Sequence, residues 1–152
     1  MDERSLAAFA LTTRLLDIEV DPLTARSFWP LLAAVPNLET LLGLSEAEVG
    51  QRVIATDINP ASLVRLLDRG LGLANQLTGL HDRGIEVVAG CDERYPGRLK
   101  DRLGSAAPPL LYLSGDVSLF DVDGIGVVGS RDVSPEGREV AEQAARWAVD
   151  DG

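Results

Sequence analysis

Residues 127–137 read Val127-Val128-Gly129-Ser130-Arg131-Asp132-Val133-Ser134-Pro135-Glu136-Gly137, and they hold the types and spacing that can grip an anion. An apolar run feeds a short Gly-Ser-Arg turn, and Ser-Pro then opens a helix. The start of a helix carries unpaired backbone N–H groups and the positive end of the peptide dipole, so it attracts phosphate. Gly129 lets the backbone come close to a ligand. Ser130 offers a hydroxyl. Arg131 can fork two N–H bonds onto a phosphate or lie flat against a base. Ser134 is the natural N-cap. Gly137, in the first turn, has no side chain to block a bound group. The predicted phosphate-binding residues are therefore Gly129, Ser130, Arg131, Ser134 and Gly137. The same types also serve the tight geometry of any strand–turn–helix unit, with Arg131 a solvated surface residue. On chemistry alone both readings stand.

Other chemistries find little here. The glycines at 124 and 126 fall before or within the apolar run, so the segment is not the dinucleotide fingerprint, and no Gly-Lys-Ser/Thr forms a Walker A loop. One cysteine, Cys91, and one histidine, His81, cannot make a zinc site or an internal disulfide. His81 lacks a nucleophile to serve and reads as a helix-end residue. We therefore expect no catalytic residue, no metal and no cofactor. The net charge of −10 argues against nucleic-acid binding by bulk charge, so any such contact must be focused. The acidity is even: residues 1–90 and 91–152 each carry 12 acids and 7 bases. Arg94, Arg98, Lys100 and Arg102 cluster, but Asp92, Glu93 and Asp101 interleave with them, so a solvated helix face is the better reading. Cys91 reads as a packed small residue, and Trp29 and Trp147 as core residues. No apolar run approaches the ~18 residues of a membrane span, and no secretory leader is visible at the start. The chain reads as cytoplasmic.

The elements that must position the turn follow from periodicity and caps. Residues 1–82 read as a helical domain of four or five short helices. Leu6, Phe9, Ala10 and Thr13 share one face. A second helix covers about residues 23–35, with Pro30 delaying or kinking it. A short third stretch carries Leu38, Leu41, Leu42 and Leu44. Ser45 with Glu48 forms a capping-box pattern. Asn59-Pro60 opens a helix whose leucines continue to Leu80, weakened at Gly70 and Gly72 by about 1 kcal/mol each. Residues 83–152 change character: β-branched residues 85–89 predict a strand, Tyr95-Pro96 opens a helix to about Leu103, and residues 110–113 predict a second strand. Residues 125–128, apolar on both faces, predict a third, buried parallel strand. Ser134-Pro135 then starts a helix to about Val149, with Val140, Ala141, Ala144 and Ala148 as a small-residue face. The class is α/β. A buried parallel strand needs a partner after the crossover helix, so the sequence reads as truncated within its second domain.

Three motifs in order also resemble one family. Tyr95-Pro96 with Arg98-Leu99, then Pro108-Pro109-Leu110-Leu111-Tyr112 with Gly115, then Val127-Val128-Gly129-Ser130-Arg131 with Ser134 and Gly137 are similar to the DNA-processing protein A (DprA/Smf) family over about residues 84–152. The resemblance implies a small helical (SAM-like) N-terminal domain, residues 1–82, followed by the opening of a Rossmann-like parallel-sheet domain, residues 83–152. It implies a non-enzymatic protein that binds and protects single-stranded DNA and assists a RecA-type recombinase in natural transformation and DNA recombination. It implies a homodimer in the full-length protein, and it places Gly129, Ser130 and Arg131 in the DNA-phosphate pocket with Ser134 and Gly137 in support. Tyr95, Pro96, Pro108, Pro109 and Tyr112 then look like packing and chain-direction positions. Asp132 and Glu136 depart from the family pattern, and each opposes a nearby phosphate. These residues by themselves are expected to bind DNA weakly or not at all. The competing expectation is a Rossmann-like protein that binds or hydrolyses a nucleotide-derived small molecule, held by the same helix start.

Overall fold

The computed structural model describes residues 2–16 and 20–150. The chain divides into two compact units, Met1–Val117 and Ser118–Gly152. The first unit is built around helix α1 (Glu3–Thr12), which starts where the Asp2 carboxylate accepts the Ser5 N–H at 2.8 Å. Ala7, Ala8, Phe9, Ala10 and Leu11 are all buried. A helix apolar on every side belongs in the middle of a core. Around α1 lie the 3₁₀ turn Leu38–Leu41, helix α4 (Pro60–Leu67) and two strands, β1 (Glu86–Ala89) and β2 (Leu110–Leu113).

The remaining helices of this unit are α2 (Ala25–Ala34), α3 (Glu46–Arg52), α5 (Gly70–His81) and α6 (Gly97–Leu103). Their starts follow the local signals. Ser45 Oγ accepts the Glu48 N–H while Glu48 Oε2 accepts the Ser45 N–H at 2.8 Å, so the capping box is complete. Asn59 Oδ1 caps α4 by accepting the Ala61 N–H at 2.9 Å, with Pro60 at the first helical position. Helix α2 runs through Pro30 without stopping.

The leucine pattern from Asn59 to Leu80 is two helices, not one. The chain turns at Asp68–Arg69, directly before the two glycines that weaken it. Arg69 holds the corner: its Nε donates to the Leu66 carbonyl at 3.0 Å and its Nη2 to the Ala10 carbonyl of α1. At the far end of α5, Gly84 takes φ 69°, and the Ile85 N–H returns to the Leu80 carbonyl at 3.0 Å. A left-handed glycine closes the helix and aims the chain into β1.

β1 and β2 are antiparallel, with Glu86 opposite Leu113, Val87 opposite Tyr112, Val88 opposite Leu111 and Ala89 opposite Leu110. Val87, Ala89 and Leu110 belong to the same buried cluster as Phe9, Leu11, Phe28 and Leu63. The strand pair therefore shares one core with the helices. Trp29 locks the far side of this core. Its indole N–H donates to the Ala107 carbonyl at 2.8 Å, and its ring meets Phe28 and Tyr95 edge-on at 5.2 and 5.8 Å. The Lys100 ammonium sits 3.1 Å from its ring centroid. Tyr95 is buried and donates its hydroxyl to the Pro108 carbonyl at 2.7 Å, and the Gly90 N–H bonds the Pro109 carbonyl at 2.8 Å. These contacts give Tyr95 and the two prolines the packing and chain-direction roles expected of them. Cys91 is half-buried, its thiol bonded to the Arg4 carbonyl, and burial pushes that thiol's pKa up.

The expected parallel, Rossmann-like sheet is not found among the described residues. The two strands found among the described residues are antiparallel, and residues 123–130 have no regular secondary structure. Apolar, β-branched composition favours a strand only where ladder partners exist. Residues 125–128 have none among the described residues, and Val128 is 95% exposed. The second unit holds one α-helix, α7 (Pro135–Asp150). Along it Gly137, Ala141, Ala144 and Ala148 form the less exposed face, while Val140 is exposed. Trp147, expected in the core, is instead 63% exposed. Among the described residues no helix is long and apolar enough to cross a membrane.

Candidate functional site

The turn from Gly129 to Ser134 leads into the longest helix of the chain. Helix α7 begins as its residues predict. Ser134 Oγ accepts the Gly137 N–H at 3.2 Å, and the Ser134 carbonyl accepts the Arg138 N–H at 3.0 Å. Ser134 is therefore the N-cap, with Pro135 at the first helical position. Upstream, the Asp132 N–H bonds Ser130 Oγ at 3.3 Å, folding the turn back on its own serine.

Gly129, Ser130, Arg131 and Ser134 are all exposed, and Gly137 is half-exposed. Gly129 faces open space: a Cβ there would have nothing within 4 Å beyond its chain neighbours. Gly137 is different. A Cβ at that position would lie 2.7 Å from Val133 Cγ2. The residue before the cap thus packs against the first turn, and a side chain at 137 would force Val133 to shift. Val133 was legible as a β-branched residue just outside the cap, a place where apolar side chains brace a helix start.

Electrostatically the turn is mixed. Arg131 makes no hydrogen bond or ion pair among the described residues, so its guanidinium is available. Opposing it, the Glu136 carboxyl is held below the ordinary carboxylate range by its own backbone N–H, with the Ser134 hydroxyl adding to the effect. Glu136 is thus an anion already resting on the helix start. The second unit as a whole carries eight acids against three bases. No group of three or more His, Cys, Asp or Glu placed to hold a metal occurs among the described residues.

Two members of the basic cluster near α6 make structural contacts, and Arg98 and Arg102 lie exposed on the helix. Arg94 bridges Glu86 at 2.9 Å and Asp92 at 3.2 Å, and Lys100 covers Trp29. His81 ends α5 at the surface, as expected of a helix-end histidine.

In comparison with known proteins, the family model for DNA recombination-mediator protein A matches residues 86–152. The match takes in β1, β2, the Gly129–Ser134 turn and α7. No curated protein and no solved structure matches the chain.

Proposed function

We propose that the chain, whose residues 86–152 match the DNA recombination-mediator protein A family, binds single-stranded DNA without catalysing a reaction. The DNA backbone contacts Gly129, Ser130 and Arg131, with Ser134 and Gly137 shaping the helix start behind them. The observation that carries this reading is the free guanidinium of Arg131 beside the capped start of a 16-residue helix. A helix start and an unpaired arginine together suit one phosphate. The site would serve a homodimer that protects single strands and passes them to a RecA-type recombinase, in keeping with a recombination mediator.

Fluorescence anisotropy of a labelled oligo-dT, measured at two salt concentrations, tests the reading. Arg131→Ala is expected to weaken binding by at least about tenfold, because a charge-assisted hydrogen bond is lost, and to lower the log–log salt slope by about 0.7. Glu136→Gln is expected to act the other way, tightening binding about threefold by removing a like charge near the phosphate. If Arg131→Ala binds as wild type does, the turn is not the DNA contact. A second reading, a site for a single nucleotide phosphate, is favoured by Glu136 on the helix start, which opposes a polyanion more than one small ligand. It takes over if mononucleotides compete where oligo-dT does not bind.

A further inference from the structure

We propose that a groove between the end of α1 and β2 takes an unstacked base of single-stranded DNA, with Arg14 on the adjoining phosphate. This second contact rests on the DNA-binding reading above but uses none of its residues. The groove has a volume of about 290 Å³ and is lined by Thr12, Arg14, Leu15, Pro109, Leu110 and Tyr112. That is close to the ~300 Å³ lower bound of small-ligand pockets.

Tyr112 carries the argument. The strand register sets it opposite Val87, on the same face as Leu110, and both of those are buried. A tyrosine on the core face of a sheet should be covered, yet Tyr112 is 44% exposed. Its ring is also fixed in place. The Tyr112 hydroxyl pairs with Thr13 Oγ1 at 3.0 Å, and Thr13 is itself buried. The same Oγ1 accepts the Leu15 N–H at 3.3 Å, so one buried hydroxyl ties both walls of the groove together. Leu15 and Pro109 supply apolar surface on either side. Arg14, at the rim, is exposed and has no hydrogen bond or ion pair among the described residues.

A held aromatic ring, an apolar wall and an exposed guanidinium without a partner among the described residues are the parts of a base-and-phosphate clamp. Tyrosine and arginine also dominate protein-binding hot spots. The exposed positive charge, on a chain whose residues 86–152 match a DNA-recombination family, favours the nucleic acid.

The test uses the full chain and oligo-dT carrying 5-iodouracil, photocrosslinked and mapped by mass spectrometry. Anisotropy of Tyr112→Leu, Tyr112→Phe and Arg14→Ala is read beside Arg131→Ala. Crosslinks are expected at Tyr112, with Tyr112→Leu and Arg14→Ala each weakening binding about tenfold and Tyr112→Phe, which keeps the ring but loses its bond to Thr13, falling between Tyr112→Leu and wild type. Arg14→Ala, at an exposed position, guards against a folding artefact at 112. Wild-type affinity in both Tyr112→Leu and Arg14→Ala overturns the groove, while a loss in Arg131→Ala alone leaves the turn standing. That result would leave a protein segment as the groove's remaining occupant. Loss in Tyr112→Leu and Arg14→Ala, with Arg131→Ala unaffected, supports the groove and removes the turn. No binding by the wild-type chain removes both.

Discussion

Phe9→Ala is expected to lower the unfolding free energy by about 3–5 kcal/mol, the range for truncating a buried phenylalanine. Phe9 is fully buried on a helix whose neighbours are a 3₁₀ turn, α4 and both strands. Elements meeting at one helix cannot all move inward when its largest side chain is cut back, so most of the cavity should persist. A protein of this size holds only about 5–15 kcal/mol in total, so the variant sits near the edge of folding. Urea denaturation should show the midpoint falling with little change in slope, because the surface exposed on unfolding is nearly the same. A loss below about 1.5 kcal/mol would show that the neighbours collapse into the space and that α1 is not the centre of the core.

Gly90→Ala is the second large effect, and it comes from adding atoms. A Cβ at Gly90 would fall 2.5 Å from Trp29 Cη2, 3.0 Å from Trp29 Cζ3 and 3.1 Å from Phe28 Cε1. The indole cannot simply slide away: its N–H is committed to the Ala107 carbonyl, and Lys100 and Tyr95 press on it. Overpacking of this kind costs about 2–3 kcal/mol. The decisive measurement is a double-mutant cycle with Trp29→Leu. With the indole gone, Gly90→Ala should cost much less, giving a coupling of about 1–2 kcal/mol. Additive losses would mean that Gly90 matters for its backbone conformation and not for its closeness to Trp29.

How far the sequence foretold this structure depended on the range of the interactions involved. Ser45 with Glu48, Asn59-Pro60 and Ser134-Pro135 marked helix starts correctly, because a cap is a bond between residues two or three apart. The strands at 86–89 and 110–113 were also legible, from β-branched and apolar runs. Their pairing was not. An antiparallel partner is chosen across some twenty residues by a shared core, and no local pattern reports it. The break at Asp68–Arg69 was half-visible: two glycines showed where the helix was weak, but the Arg69 bond to Ala10 that fixes the corner is a tertiary event. The run at 125–128 had the right composition for a strand and lacked what composition cannot supply, a neighbouring ladder. Of the turn residues, Ser134 stands in the local role expected of it, as the helix cap. Tyr112 was readable as a packing residue but not as a half-open ring, since its exposure depends on Thr13, 99 positions away.

The two tryptophans have a spectroscopic consequence. Trp29 is clamped in the first unit by a hydrogen bond, two aromatic edges and a cation, whereas Trp147 stands in solvent in the second. Their emission should therefore separate by colour. Trp29 should emit toward the blue and resist acrylamide, and Trp147 should emit red and be quenched freely. One fluorescence spectrum then follows the unfolding of the first unit without any label, as the Trp29 component moves to the red against a Trp147 component that is red throughout.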